Sequence, residues 1–261
     1  MSAPKDLIEA CAARLSEAER TRVAIAPLTQ DHPELTADDA YAIQLVNVNR
    51  LLADGAQISG KKIGLTSPGM QKLLGVNEPD YGHLFSFMDC ARDVVASELM
   101  QPKIEAEIAF ILGVDLPDRE VSAEDVREAT AYVCAAFEIV DSRVANWKIK
   151  LADTISDNAS SGRYVLGSKR VSPAGLDLAA VTMTTEKAGC GIVSEGIGSA
   201  VMGDPAISVA WLANCMRRYG VFLKKGEVVL SGAFAAALPA AKGEEFTATF
   251  SSLGTVTARF I

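Results

Sequence analysis

Histidine is scarce in this chain: His32 and His83 are the two present among 261 residues. They stand far apart and no His-Glu-x-x-His motif occurs, which disfavours a zinc site. Cysteine is also sparse. Cys11, Cys90, Cys134, Cys190 and Cys215 are odd in number and form no Cys-x-x-Cys pair, so free thiols in a reducing cytoplasm are expected. A basic excess is missing: 25 Lys and Arg face 33 Asp and Glu, for a net charge of −8. That balance argues against nucleic-acid and anionic-membrane partners. No apolar run approaches the roughly 20 residues of a membrane span. Met-Ser-Ala-Pro-Lys-Asp at the start lacks a signal-peptide pattern, which again points to the cytoplasm. Nucleotide motifs are missing too. Gly196-Ile197-Gly198 does not complete Gly-x-Gly-x-x-Gly, because Val201 holds the last place. No Walker loop or Gly-x-Ser-x-Gly elbow occurs.

What is present is apolar mass, 49% of the residues, enough for one sizeable core. An amphipathic helix is expected from Lys5 to Arg22, stopped before Pro27 and Pro33. A second begins at the capping box Thr36-Ala37-Asp38-Asp39, carries Tyr41, Leu45, Val48 and Leu52 at helical spacing, and ends at Gly55. Together they predict an N-terminal helical lobe over 1–57, ahead of a β-rich catalytic domain over 58–261. Strands are expected at Ile58–Leu65, Ile104–Leu112, Cys134–Val140, Arg163–Leu166, Val181–Lys187, Gly191–Ser194, Val228–Leu230, Phe246–Phe250 and Val256–Phe260. Helices are expected at Ser122–Val133 and from Asp204-Pro205 to Gly220. The stretch from Leu74-Gly75-Val76 to Pro79-Asp80-Tyr81-Gly82 reads as a long functional loop. The fold class is α+β: a mixed sheet rolled into a barrel-like form, with peripheral helices.

The chemistry concentrates in Lys103-Ile104-Glu105-Ala106-Glu107 and, further on, Glu138. In a strand Glu105 and Glu107 project to one side, roughly 7 Å apart along the backbone. Two readings stand: a solvated strand face, or a site for a hard divalent cation. Both faces of the strand are otherwise apolar, and unpaired carboxylates are costly to bury. Mg²⁺ or Mn²⁺ takes oxygen ligands and would resolve the conflict. Lys62, in an apolar strand, is either a surface lysine or a desolvated one that titrates low and exchanges protons. Asp80 is either a turn residue or part of a site, Asp157-Asn158-Ala159-Ser160-Ser161 has turn chemistry, and Asp141-Ser142-Arg143 offers a local salt bridge.

Several motifs in one order resemble a family. They are Gly60-Lys61-Lys62-Ile63-Gly64-Leu65-Thr66-Ser67, Leu74-Gly75-Val76 with Pro79-Asp80-Tyr81-Gly82, and Gln101-Pro102-Lys103-Ile104-Glu105-Ala106-Glu107-Ile108. Phe137-Glu138-Ile139-Val140-Asp141-Ser142-Arg143 and Asp153-Thr154 with Asp157-Asn158-Ala159-Ser160 complete the set. From about Ala40 to Ile261 the chain resembles the 2-oxopent-4-enoate (2-hydroxypenta-2,4-dienoate) hydratases. These stand beside the 4-oxalocrotonate decarboxylases in the fumarylacetoacetate hydrolase superfamily. The resemblance implies that superfamily's mixed β-roll, Mg²⁺ or Mn²⁺ on Glu105, Glu107 and Glu138, and Lys62 and Asp80 as catalytic residues. It implies Leu65 and Ser160 at the substrate, a homo-oligomer, association with another pathway enzyme, and a place in aromatic catabolism after meta-cleavage.

Pro79-Asp80-Tyr81-Gly82 and Asp153-Thr154-Ile155 look like the hydratase branch. The expected reaction is hydration of 2-hydroxypenta-2,4-dienoate to 4-hydroxy-2-oxopentanoate. The alternative is decarboxylation of 4-oxalocrotonate, whose second carboxylate would need a cation such as Arg143 or Arg163. A sister hydratase acting on a longer dienoate with a second carboxylate, and a non-catalytic scaffold partner of such an enzyme, are the remaining alternatives.

Overall fold

The computed structural model describes residues 3–67, 69, 71–72, 75–76 and 78–261; Leu74, part of the Leu-Gly-Val motif, lies outside them. Helix α1 spans Lys5–Thr21, the short α2 spans Leu28–Asp31, and α3 spans Ala37–Ala53. The Thr36 hydroxyl accepts from the Asp39 backbone N–H while the Asp39 carboxylate accepts from the Thr36 N–H, so the capping box forms as read. Ile8, Cys11, Leu15, Leu28, Ala40 and Ile43 from these helices pack with Val144, Ala152 and Ile155.

Two sheets make up the rest. Seven strands form the first: β1 (Ile58–Gly64), β2 (Asp80–Phe85), β4 (Lys103–Leu112), β5 (Thr130–Val140), β6 (Ser161–Leu166), β9 (Val228–Ala233) and β10 (Leu238–Pro239). Their order is β2-β1-β9-β4-β5-β6, with β10 added on β4. The β1–β9 pairing is parallel and the others are antiparallel, which makes the sheet mixed. The second sheet runs β3 (Asp93–Val94), β12 (Gly254–Phe260), β11 (Glu245–Phe250), β7 (Thr182–Lys187), β8 (Gly191–Ile197).

Strand alternation decides where the acids go. Ile104, Ile108 and Phe110 point from β4 into the main core, with Phe137 of β5 and Phe246, Phe250 and Phe260 of the second sheet. Ala109 and Ile111, on the opposite face, pack with Cys134, Ala136 and Leu230. Glu105 and Glu107 share that second face by the period of two. This is the mixed β-roll with peripheral helices expected from the chain.

Two local readings need correction. The Pro79-Asp80-Tyr81-Gly82 stretch is not all loop: Asp80 opens β2, a fully buried strand. Its pairing with β1 supplies the ladder bonds that the Gly and Pro punctuation hid, setting Asp80 opposite Gly64 and Gly82 opposite Lys62. The helix after Ser122 stops at Ala129, because Thr130-Ala131-Tyr132-Val133, with its β-branched and aromatic residues, begins β5. With Ala123–Ala129 as α4, the polar stretch 141–161 holds one further helix, α5 (Leu151–Ser156), followed by a 3₁₀ turn at Asn158–Ser160.

Candidate metal centre and substrate cavity

Glu105 and Glu138 face each other directly across the β4–β5 ladder. Glu107 follows two residues on, and one carboxylate oxygen from each of the three lies within 4.8 Å of the others. Glu107 and Glu138 are buried. A bulge between β4 and β9 sets Glu107 opposite Ala233 and Ala109 opposite Leu230. The slack brings Gly232, at φ 113°, close enough for its N–H to donate to Glu107 Oε2 at 2.8 Å. A Cβ at Gly232 would lie 2.4 Å from the Thr66 hydroxyl oxygen, so the bend needs glycine for both space and dihedral.

Glu107 Oε1 and Glu138 Oε2 have no hydrogen-bond partner among the described residues. Such orphaned buried oxygens are costly unless something neutralises them. Burial, with Glu138 beside it, pushes Glu105 up to about 7 and Glu107 well above the usual carboxylate range. Three carboxylates converging within 4.8 Å, two of them with orphaned oxygens, fit a hard divalent cation, and a cluster with no nitrogen or sulfur donor among the described residues suits Mg²⁺-like ions.

Lys62 is buried, with its Nζ 3.0 Å from Glu138 Oε1. Neither reading of Lys62, a surface lysine or a desolvated one that titrates low, holds whole: it is buried, yet it titrates high. Burial alone would lower it, but Glu138, Asp80 and Glu105 around it outweigh burial and raise it. Lys62 is therefore a charged ammonium. Asp80 is buried beside it, and one carboxylate oxygen, Oδ1, has no hydrogen-bond partner among the described residues. Burial pushes Asp80 up to about 6, against the pull of Lys62 and a hydrogen bond from Thr154. Thr154 and Ser160 hydroxyls lie 3.3 Å apart, extending the chain of polar groups. A Cβ at Gly64 would come 2.2 Å from Asp80 Oδ1 and 3.6 Å from Lys62 Nζ, so this glycine leaves room for the pair.

These groups line a cavity of about 480 Å³. Lys62, Asp80, Glu105, Thr154 and Ser160 supply its polar wall, and Leu65, Phe234 and Ala235–Ala237 supply apolar surface. Leu65 has φ 57° and Asn158, Ala159 and Ser160 have φ of 50–54°, so strained backbone borders the cavity on two sides. All the sequence-predicted site residues thus gather in one place, except that Glu107 and Glu138 sit behind the cavity wall. Sequence reasoning missed Thr154, Lys103 and Trp147 as cavity residues. For Thr154 the signal was its place in a recognised motif; for Lys103 it was the same strand face as Glu105.

Neither arginine offered for a second substrate carboxylate is at the cavity. Arg143 is buried and spends its donors on Asp157 and on the backbone oxygens of Asp157 and Ser161. Arg163 pairs with Glu98 at 3.0 Å and lies over Phe87. The sequence offered both by charge alone, without the partners that occupy them. A separate small cavity of about 40 Å³ lies beside Arg143 and Asp157, away from the acids. No helix is long and apolar enough to cross a membrane among the described residues.

Residues 85–261 match the family described as fumarylacetoacetate (FAA) hydrolase C-terminal. A 2-hydroxyhexa-2,4-dienoate hydratase of Comamonas testosteroni is 46% identical over 260 residues, covering 98% of both chains. A 2-keto-4-pentenoate hydratase of Paraburkholderia xenovorans is 46% identical over 97% of this chain and 94% of its own. Among solved structures, 4-oxalocrotonate decarboxylase from Pseudomonas putida G7, complexed with magnesium and adipate, superposes with a TM-score of 0.94. It is 36% identical and the match covers 100% of this chain and 99% of that one. With three clustered carboxylates, Lys62 and Asp80 buried close by, and 46% identity over nearly the whole chain to named hydratases, the chain belongs to the fumarylacetoacetate hydrolase family, in its 2-keto-4-pentenoate hydratase branch.

Proposed function

We propose that the chain hydrates 2-hydroxypenta-2,4-dienoate, or a close homologue, to the 4-hydroxy-2-oxo acid, with Glu105, Glu107 and Glu138 holding one Mg²⁺ or Mn²⁺. The observation that carries this reading is the convergence of those carboxylates, with orphaned oxygens, beside a charged Lys62 at one cavity wall. When bound, the cation would supply a Lewis acid for the oxygens of the 2-oxo acid.

The protein's own residues move the protons. The 2-hydroxyl gives up its proton and C5 of the dienol receives one, leaving a conjugated 2-oxo-3-enoate. Lys62, an ammonium, is the donor. Asp80, with an unpartnered oxygen and a pKa near 6, orients the water and takes its proton as oxygen bonds to C4. C3 then receives the proton that Asp80 took, the 2-hydroxyl proton restores the Lys62 ammonium, and one water has been added in all. Thr154 and Ser160 keep Asp80 and the water aligned. Leu65 and Phe234 bound the apolar side against which the diene lies.

The hydratase reading is favoured over decarboxylation by the higher identity to named hydratases. This reading also puts the chain after ring cleavage in aromatic catabolism, as a cytoplasmic homo-oligomer that associates with another enzyme of the pathway. Supplying both dienoate and 4-oxalocrotonate with Mg²⁺, and following dienol absorbance and released CO₂, tests the assignment. Hydrated product without CO₂ is expected; CO₂ without hydrated product would reject it. Glu107→Gln is expected to lose at least about 100-fold in turnover and most of its cation affinity, because it removes one ligand charge. A scaffold protein would turn over nothing even before substitution.

A further inference from the structure

The cavity contains two lysines, and the proposed chemistry uses one. Lys62 is matched by Glu138. Lys103, half-buried in the cavity wall, has no carboxylate within ion-pair distance among the described residues. Instead its Nζ lies 4.1 Å from the centroid of the Trp147 ring.

That contact is built. Trp147 and its neighbour Asn146 both have left-handed backbone, at φ 55° and 58°, a conformation that costs a non-glycine residue about 1–3 kcal/mol. Gln101 holds them there. Its backbone oxygen accepts from the Trp147 indole N–H at 3.0 Å and its side-chain oxygen accepts from the Asn146 N–H at 2.7 Å. Its side-chain amide donates to the carbonyls of Ser142 and Val144. The Asp141 carboxylate accepts from the backbone N–H groups of Met100 and Gln101. Every bond in this brace serves to fix the start of β4 and the indole beneath the ammonium.

We propose that Lys103, steadied by Trp147, is a substrate-binding residue that holds the C1 carboxylate of the 2-oxo acid. The inference rests on the metal-site reading above and extends it to a residue that reading does not use. Alternation along β4 puts Lys103 on the same face as Glu105, roughly 7 Å along the strand and on the side away from Glu107. Lys62 and Asp80 are committed to proton transfer at C4 and C5 in the proposed reaction, which leaves Lys103, two residues before Glu105 on the same cavity, as the cation free for C1. Charge points the same way. Glu105, Glu107, Glu138 and Asp80 outnumber Lys62 and a divalent cation by one negative charge. An incoming carboxylate meets net repulsion unless Lys103 offsets it.

The test uses 2-oxopentanoate, an unreactive monoacid with the same head, and 2-oxohexanedioate, which adds a far carboxylate. Calorimetric titration into the Mn²⁺-loaded full chain compares wild type, Lys103→Met, Lys103→Arg and Trp147→Leu. Lys103→Met is expected to weaken both acids alike, by about 10- to 100-fold as for loss of a hydrogen bond to a charged group, with Lys103→Arg recovering most of it. Trp147→Leu, a positioning change, is expected to raise KM for the dienoate more than it lowers kcat. Weakening of the diacid alone would move Lys103 to the tail and overturn the proposal, as would unchanged affinity for both. Mn²⁺ affinity in Lys103→Met should equal or exceed that of wild type, since a positive charge has gone. A wild type that binds no Mn²⁺ would instead overturn the metal-site reading, and this proposal with it.

Discussion

At the scale of single residues, the site depends as much on missing side chains as on present ones. Gly64 stands where any Cβ would press on Asp80 Oδ1. Gly64→Ala must therefore displace the Asp80 carboxylate or bend β1. The expected result is a loss of about 10²-fold or more in kcat, as for a displacement of an ångström in a catalytic group. The fold should remain, because the same strand keeps its ladder to β2. Steady-state hydration kinetics beside a thermal melt separate the two effects. A variant that turns over like wild type would show that the Asp80 position is not critical. This glycine's role was invisible in the sequence: it sits inside a motif, but nothing local says which atom fills the space.

At the scale of elements, the buried Arg143–Asp157 pair joins the exit of β5 to the turn after α5. Arg143 also donates to Asp157 and Ser161 backbone oxygens, so one guanidinium ties together the segment that ends in Ser160. Asp157→Asn leaves that guanidinium buried and uncompensated, at an expected cost of about 3–5 kcal/mol. Arg143→Met in the same chain should give back a large part of the loss, which urea midpoints will read. Sequence reasoning saw both residues, one as a local salt bridge and the other as turn chemistry. It missed that they pair with each other, because they stand fourteen positions apart and only the returning turn brings them together.

The helix caps and the strand alternation were legible because both are local. Thr36 with Asp39 and Ser122 with Asp125 close boxes within three residues. Glu105 and Glu107 share a face by the period of two alone. Asp80 was misread as loop because its strand exists only through pairing with β1, and the intervening Gly and Pro dominate the local signal. Lys62 was left open between an exposed lysine and a desolvated one because its burial and titration are set by acids on β2, β4 and β5, which no reading of β1 contains.

At the scale of the whole molecule, His83 is one group that couples the fold to pH. It is buried on β2, where Gln44 Oε1 lies 3.0 Å from its Nδ1. The Gln44 amide nitrogen already donates to Tyr81 and Ile155 oxygens, so Gln44 Oε1 accepts and His83 Nδ1 carries the hydrogen. Burial first, and then the nearby Lys61 ammonium, depress His83 to about 3 from 6.5; Lys61 is itself paired with Glu227. The unfolded chain therefore binds a proton between these values and the native chain does not. This contribution to stability is complete above about pH 6.5 and is lost as pH falls toward 3, on the order of 4 kcal/mol across the window. Replacing His83 by Gln should flatten the decline in urea midpoint between pH 6.5 and 4. An unchanged slope would assign the acid sensitivity to carboxylates alone.

The strand order has a consequence for how this protein is born. Glu105, Glu107 and Glu138 lie on two strands that can zip together as soon as the chain has passed residue 140, whereas Lys62 is fixed only when β1 finds β9, with Gly60 beside Val228. Gly232, which satisfies Glu107, also arrives with β9. During synthesis three like charges are thus gathered before their balancing groups are in place. A hard cation available at that moment would act as a folding partner, relieving the nascent hairpin long before it served any substrate.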